Sequence, residues 1–248
     1  MPDSDASPRN DYEREFVAMM ADVDVLIESI TNPHHRKSKP PPPLPLPPPL
    51  HPSLSRPLTP VLVNYRRHGL LEVAGRYAEL LAPTMTVEEP AYRIVEGGKT
   101  TLLTGMAQVR AFYESLHALD MLVMWTGRQR MAVHDWGFAG EAQFSQFVPG
   151  RMMADNVFAA VGGEAQAQAQ AEGGNKEGGV DPDAWYLVRR TFAFVWPYAA
   201  DGRMIGEHVY EDPATKTVER VDKDVVITGA RAAVLLAPII DKYGRCED

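Results

Sequence analysis

One cysteine, Cys246, in a chain of 248 residues excludes an internal disulfide and any metal cluster built on thiolates. That usage fits a reducing intracellular compartment, and a cytoplasmic location is expected. Positive charge is also scarce: 25 Lys and Arg against 33 Asp and Glu leave a net charge of -8 and a sequence pI near 5.4. Nucleic acid and anionic membrane both recruit fields of Lys and Arg, so neither is the expected partner. Long apolar runs are missing. Residues 1–14 are polar with no signal-peptide core, and no segment approaches the roughly 20 apolar residues that span a bilayer. There is no P-loop, no dinucleotide Gly motif and no Gly-x-Ser-x-Gly elbow, and no cofactor is expected. The histidines are scattered, with only His34 and His35 adjacent, so no metal site is expected either.

Proline, by contrast, is plentiful, with 21 residues. Many fall in 37–60, which includes the run Lys39-Pro40-Pro41-Pro42-Pro43-Leu44-Pro45. A segment with so few amide donors forms neither helix nor sheet, and it reads as an extended polyproline II linker insertion. Lys37, Pro40 and Pro43 also fit a basic residue followed by PxxP, the spacing an SH3-type groove reads, which makes a weak SH3-type partner the second reading of the tract. Ahead of it, 1–10 reads as a disordered N-terminus. Phe16, Met19, Met20, Val23, Leu26, Ile27 and Ile30 then mark an amphipathic N-terminal helix over 11–32, stopped by Asn32-Pro33.

The domain proper spans 61–227. Its periodicity predicts a helix over 62–73 ended by Gly75, a short helix over 77–81 broken by Pro83, and a strand over 85–89. A loop over 93–104 carries Gly97-Gly98, and a helix follows whose Met106, Val109, Phe112, Tyr113 and Leu116 share one face. From Met121 the period changes to two. Strands are predicted over 123–133, 140–148, 186–198 and 203–210, with Asp135-Trp136-Gly137 and Ala200-Asp201-Gly202 as turns. Successive strands without intervening helices imply an antiparallel, curved sheet. Residues 159–183, rich in alternating Ala-Gln and in Gly, read as a disordered hairpin insertion. Over 228–248, Thr228 caps a last helix with Ala232, Leu235, Leu236, Ile239 and Ile240 on one face, and Pro238 is expected to kink or shorten it.

Helices first, a strand, another helix and then four antiparallel strands describe an α+β fold in which a curved sheet wraps a helix layer around a hollow. The residues carrying that order are Ala74-Gly75, Thr86-Val87-Glu88-Glu89-Pro90, Gly105 with Val109-Arg110-Ala111-Phe112-Tyr113, and Asp201-Gly202-Arg203-Met204-Ile205 ending in Tyr210-Glu211-Asp212. In these the chain resembles the SnoaL-like polyketide cyclases and ketosteroid isomerases of the NTF2-like superfamily. The resemblance implies an NTF2-like cone with extra N- and C-terminal helices, a small hydrophobic ligand and a homodimer. The isomerase base precedes the proline of this motif, which places it on Glu89. The oxyanion-hole tyrosine, six residues before the Ala of Ala-Gly, corresponds to His68. A buried acid of a late strand falls on Phe192 or Phe194, a departure that speaks against steroid isomerisation itself.

A carboxylate walled by apolar groups has its charged form desolvated and its pKa raised toward neutrality, which suits it to take a proton from carbon next to a carbonyl. Glu89 is the candidate base, against the reading of a solvated strand-end glutamate. His68, beside Arg66 and Arg67, is a hydrogen-bond donor for a developing enolate oxygen. On the last core strand His208 and Tyr210 share one face and Glu207 and Val209 the other. Family pattern favours His208 as a third catalytic candidate, although the sequence leaves open which face looks inward. Trp125, Phe144, Phe192, Phe194, Trp196 and Tyr210 are the candidate pocket residues for a hydrophobic ligand. Two functions follow. One is a cofactor-independent proton-transfer enzyme, of isomerase, cyclase or lyase type, acting on a small hydrophobic carbonyl or polyketide-like compound. The other is a non-catalytic ligand-binding or scaffold protein of the same fold.

Overall fold

The computed structural model describes residues 5–31, 59–134, 136–153 and 180–243. The polyproline run, the bulk of the Ala-Gln and Gly-rich insertion, Asp135, His34-His35 and the C-terminal tail lie outside them. Helix α1 covers Asp11–Thr31, α2 Thr59–Val73, the short α3 Tyr77–Leu80, α4 Met106–Ala118 and α5 Gly229–Tyr243. Strands are β1 Ala91–Glu96, β2 Lys99–Thr104, β3 Met124–His134, β4 Gly137–Pro149, β5 Trp185–Pro197 and β6 His208–Val221. They form one six-stranded sheet in the order β2-β1-β6-β5-β4-β3. Only the β1–β6 pairing is parallel. The protein is thus α+β with a mixed, mainly antiparallel sheet. Among the described residues no helix is long and apolar enough to cross a membrane.

The largest departure from the sequence expectation lies between 85 and 104. Residues 85–89 are not a strand: Thr86 makes one isolated bridge, to Met204, and its hydroxyl donates to the Leu80 carbonyl at 2.8 Å. The expected loop is instead the β1–β2 hairpin, with Glu96 opposite Lys99. Gly97 and Gly98 take φ of +53° and +77°, the left-handed pair that a two-residue type I′ turn requires. Tyr92, Ile94 and Glu96 are buried and Arg93 is exposed, so this short strand alternates as a half-buried strand must.

Strand β6 also differs. It starts at His208 rather than Arg203 and runs on to Val221. Its ladder with β5 breaks where Thr191 pairs with Asp212 but Arg189 with Thr217. Pro213 falls in that bulge, one of the few sheet sites that tolerate a missing N–H. The Thr215 hydroxyl accepts from the Thr191 amide at 2.8 Å, replacing the lost backbone partner.

The helices close the remaining sides. Val61, Leu70 and Leu71 of α2 and Val109, Phe112 and Leu116 of α4 are buried in one continuous core with Phe138, Phe192 and Leu187 of the sheet. Phe16 of α1 is fully buried and stands edge-on to Trp125, their ring centroids 5.9 Å apart. Thr228 caps α5, its hydroxyl accepting from the Arg231 amide at 3.3 Å. That helix runs through Pro238 to Tyr243 rather than ending there. Pro238 is exposed, while Leu235, Leu236 and Ile240 hold the buried face. Arg231 donates to both carboxylate oxygens of Glu13 at 2.8 Å and to the carbonyls of Asp5 and Ser7. The described start of the chain, 5–10, is therefore tied to α5, where the sequence alone suggests disorder. The guanidinium holds the Glu13 carboxyl below the usual carboxylate range, against the opposing effect of burial.

Candidate functional site

The strand registers decide which side chains share the face turned toward the helices. Phe138 is opposite Trp196, Ala142 opposite Phe192, and Phe144 opposite Arg190, and directly paired residues project to the same side. Val209 lies next to Ile94 across β6 and β1. A hollow opens against this face in two lobes. The first, about 60 Å³, is lined by Glu72, Ile94, Phe112, Met124, Phe144, Phe192, Trp196, Glu207 and Val209. The second, about 70 Å³, is lined by Met20, Tyr65, Arg66, Gly69, Leu70, Glu72, Val73, Met124, Trp125, Thr126, Phe144 and Trp196. One water needs only roughly 10–15 Å³ on such a measure, so each lobe has room for several waters or part of an organic molecule.

Against a mainly apolar wall, which also carries Arg66 in the second lobe, stands a buried cluster of ionisable groups. His68, on α2, is 1% exposed. Its Nε2 lies 3.0 Å from Glu207 Oε1 and 3.4 Å from Glu72 Oε2. Glu72 follows His68 by one helical turn, a spacing that puts both on one face of α2. Glu207 comes from the segment leading into β6. The Tyr113 hydroxyl of α4 donates to Glu207 Oε1 at 3.1 Å and lies 3.2 Å from the Tyr92 hydroxyl of β1. The His68 ring meets Trp196 edge-on at 4.7 Å, and its Nδ1 has no hydrogen-bond partner among the described residues.

Burial alone would drive His68 neutral. The Glu207 carboxylate, followed by Glu72, more than reverses this and lifts the imidazole pKa to about 9. At neutral pH His68 is therefore an imidazolium. Burial raises the Glu72 carboxyl above the ordinary carboxylate value, and the nearby imidazolium only partly offsets that. Burial also pushes Tyr92 and Tyr113 well above the usual phenol range, with the Glu207 charge adding to it. Both tyrosines accordingly keep their protons and serve as donors.

Beyond Phe192, at the other end of the same face, Arg190 is 4% exposed and paired with Glu96, 1% exposed. Glu211 stands 3.5 Å from Arg190, and Gln146 accepts from it at 3.3 Å. The Arg190 guanidinium also lies over the Phe192 ring, 5.1 Å from its centroid. A buried guanidinium shared by carboxylates from two other strands pins β1, β5 and β6 together.

The positions of the sequence candidates follow from this geometry. His68 lies in the buried cluster. Glu89 does not: it is exposed and lines neither lobe. The premise of an apolar surround therefore fails for it. Its carboxylate sits beside Gly105, whose Cβ position would be 3.0 Å from Glu89 Oε2. Gly105 is the N-cap of α4, where a negative charge is favoured by the helix dipole. His208 is likewise corrected. Glu207 and Val209 face the hollow, which turns the half-buried His208 and Tyr210 to the other side of the sheet. Of the aromatic candidates, Phe144, Phe192 and Trp196 line the first lobe, and Phe144, Trp196 and Trp125 the second. Phe194 is core instead, packed against Phe138 at 5.9 Å. The sequence expectation missed Glu72 and Glu207. The His68–Glu72 spacing of four on an evident helix was the signal for Glu72, whereas nothing local marks Glu207.

No family model matches the chain, and no curated protein matches it. A solved structure described for the epoxide hydrolase/cyclase-like enzyme SalBIII, with a role in pyran ring formation in polyether salinomycin, is similar over 62% of this chain and 97% of that one. The identity is 10% and the TM-score 0.34. A likeness that remote carries no argument about activity.

Proposed function

We propose that the protein is a cofactor-independent proton-transfer enzyme of the isomerase or cyclase type, acting on a small, mainly apolar carbonyl compound held in the hollow. The carrying observation is that Glu72 and Glu207, two carboxylates that share the Nε2 edge of a buried imidazolium, both line a cavity whose other walls are apolar. The NTF2-like cone expected from the sequence, and the resemblance to SnoaL-like proteins, agree with this reading without being needed for it.

The roles divide by contact. Glu207 Oε1 accepts from Tyr113 and lies against the His68 imidazolium, so this oxygen is occupied in keeping the imidazole charged. Among the described residues Glu72 has a single ion-pair partner, at 3.4 Å, and burial increases its carboxyl's affinity for protons. Glu72 is therefore the group that exchanges a proton with the ligand. Its carboxylate takes the proton from a carbon next to the carbonyl, leaving an enolate. The proton then returns to the same carbon, or to a conjugated one to complete an isomerisation. His68 supplies the positive charge that compensates the enolate as it forms in a site of low polarity.

The test is α-proton exchange of simple ketones in D₂O, followed by proton NMR on the intact protein. Exchange above the buffer rate is expected, with Glu72→Gln reducing it about a hundredfold or more, the usual scale for removing a general base. Glu89→Gln is expected to leave it unchanged. Loss of exchange in Glu89→Gln but not in Glu72→Gln would restore the strand-end base. Ketone binding without exchange in any form would establish a binding protein.

A further inference from the structure

Gly69 is out of place for its helix. Glycine in a helix interior sacrifices stability relative to alanine because it loses more backbone freedom on folding. Such a residue is ordinarily explained by a close neighbour that excludes a side chain, yet a Cβ at Gly69 would meet nothing within 4 Å. The open space beside it is the second lobe, which Gly69 lines. Gly69 sits between His68 and Leu70 in the middle of α2 and one turn before Val73, directly along the wall that carries Glu72.

The lobes are not independent. Glu72, Met124, Phe144 and Trp196 line both, so Glu72 stands where they meet. The first lobe continues along Ile94 and Val209, the second along Leu70 and Trp125. We propose that the two lobes are the arms of one binding site and that Gly69 keeps the second arm open. The ligand is then an elongated, mainly apolar molecule whose carbonyl lies inside the chain rather than at its end, one arm in each lobe and the reacting carbon at Glu72. The placement of the reacting carbon rests on the proton-transfer reading above. The two-armed shape and the role of Gly69 rest only on the walls of the hollow.

Diethyl, dipropyl and dibutyl ketone serve as probes, with dissociation constants from ligand-observed NMR and exchange rates from the same samples. Burying each added pair of methylene groups is expected to tighten binding to the intact protein by about tenfold. Gly69→Leu fills the second arm: it is expected to weaken dibutyl ketone by about tenfold and to leave diethyl ketone within about twofold. Val209→Phe, filling the first arm, is expected to do the same. If Gly69→Leu does not fold, Gly69→Ala decides, with a loss of about threefold for dibutyl ketone alone alongside a raised melting temperature. Equal affinities along the ketone series, or undiminished dibutyl ketone binding in folded Gly69→Leu or Gly69→Ala, would overturn the proposal. A length pattern cut short by Gly69→Leu in the absence of exchange would support the two-armed site and remove the catalytic reading. Exchange with a flat length profile would do the opposite.

Discussion

Raising the pH from 6.5 to 9 should cost this protein much of its stability, and His68 is the reason. Its imidazole has a pKa of 6.5 when solvated and about 9 in the fold, where burial opposes the charge but Glu207 and Glu72 together secure it. Because the folded state holds this proton more tightly, the stabilisation is fully present below pH 6.5 and disappears as the pH rises through the folded value. At about 1.4 kcal/mol for each pH unit separating the two values, the loss amounts to roughly 3 kcal/mol. Glu72 acts in a different window. Its raised carboxyl pKa means that folding favours the protonated form, so its contribution is present in acid and declines as the pH climbs above about 4.5. Urea unfolding followed by circular dichroism at closely spaced pH values separates the two. Glu207→Gln isolates the contribution of His68. Without the carboxylate that chiefly sustains the imidazolium, the variant should show a much flatter profile between pH 6.5 and 9, whatever its absolute stability. A parent protein equally stable at both pH values, or a variant with the same slope as the parent, would refute the reasoning.

Arg190→Met leaves the buried carboxylates of Glu96 and Glu211 without their shared guanidinium and should cost about 3–5 kcal/mol in chemical denaturation; a loss below about 1 kcal/mol would show that the cluster is not a strut of the sheet. Gly98→Ala meets no neighbouring atom within 4 Å, so its cost is the left-handed φ of +77° alone. That is about 1–2 kcal/mol, read as a shift of the urea midpoint, while Gly97→Asn at φ of +53° should stay within a few tenths of a kcal/mol of the parent, asparagine tolerating this region.

Much of the sheet was legible. The period-two stretches located β3, β4 and β5 to within a few residues, because much of β3 and β5 alternates between a buried face and a more exposed one, while the second half of β4 is buried on both faces. The β1–β2 hairpin was not, since β2 contributes only Leu103 to the buried set and threonines fill half of its length. Gly97-Gly98 was readable as a turn dipeptide but looked like a loop without an apolar strand on each side. For β6 the obstacle was physical: much of its length is exposed, so no hydrophobic pattern marks it, and Pro213 reads as a terminator until the bulge is seen.

The site divided along similar lines. His68 and four of the aromatics, Trp125, Phe144, Phe192 and Trp196, lay where the sequence suggested an interior, because helix and strand periodicity carries that information. Glu89 misled because a carboxylate before a proline looks the same in sequence whether it lies exposed beside a helix N-terminus or faces a hollow. Glu207 and His208 could not be separated without the register that turns Glu207 and Val209 inward. Glu72 was available from its spacing to His68, and only the fold shows that the pair is buried together beside a third group 135 residues further along the chain from Glu72.

The central claim is that Glu72 is a carboxyl group held by its surroundings in a state suited to exchanging protons with a ligand. Carbon-13 NMR titration of the glutamate carboxyls, with Glu72→Gln used to assign the signal, tests this directly. The account predicts a Glu72 midpoint clearly above 4.5 that moves when dibutyl ketone is added. A Glu72 midpoint at or below 4.5, indifferent to the ketone, would contradict it.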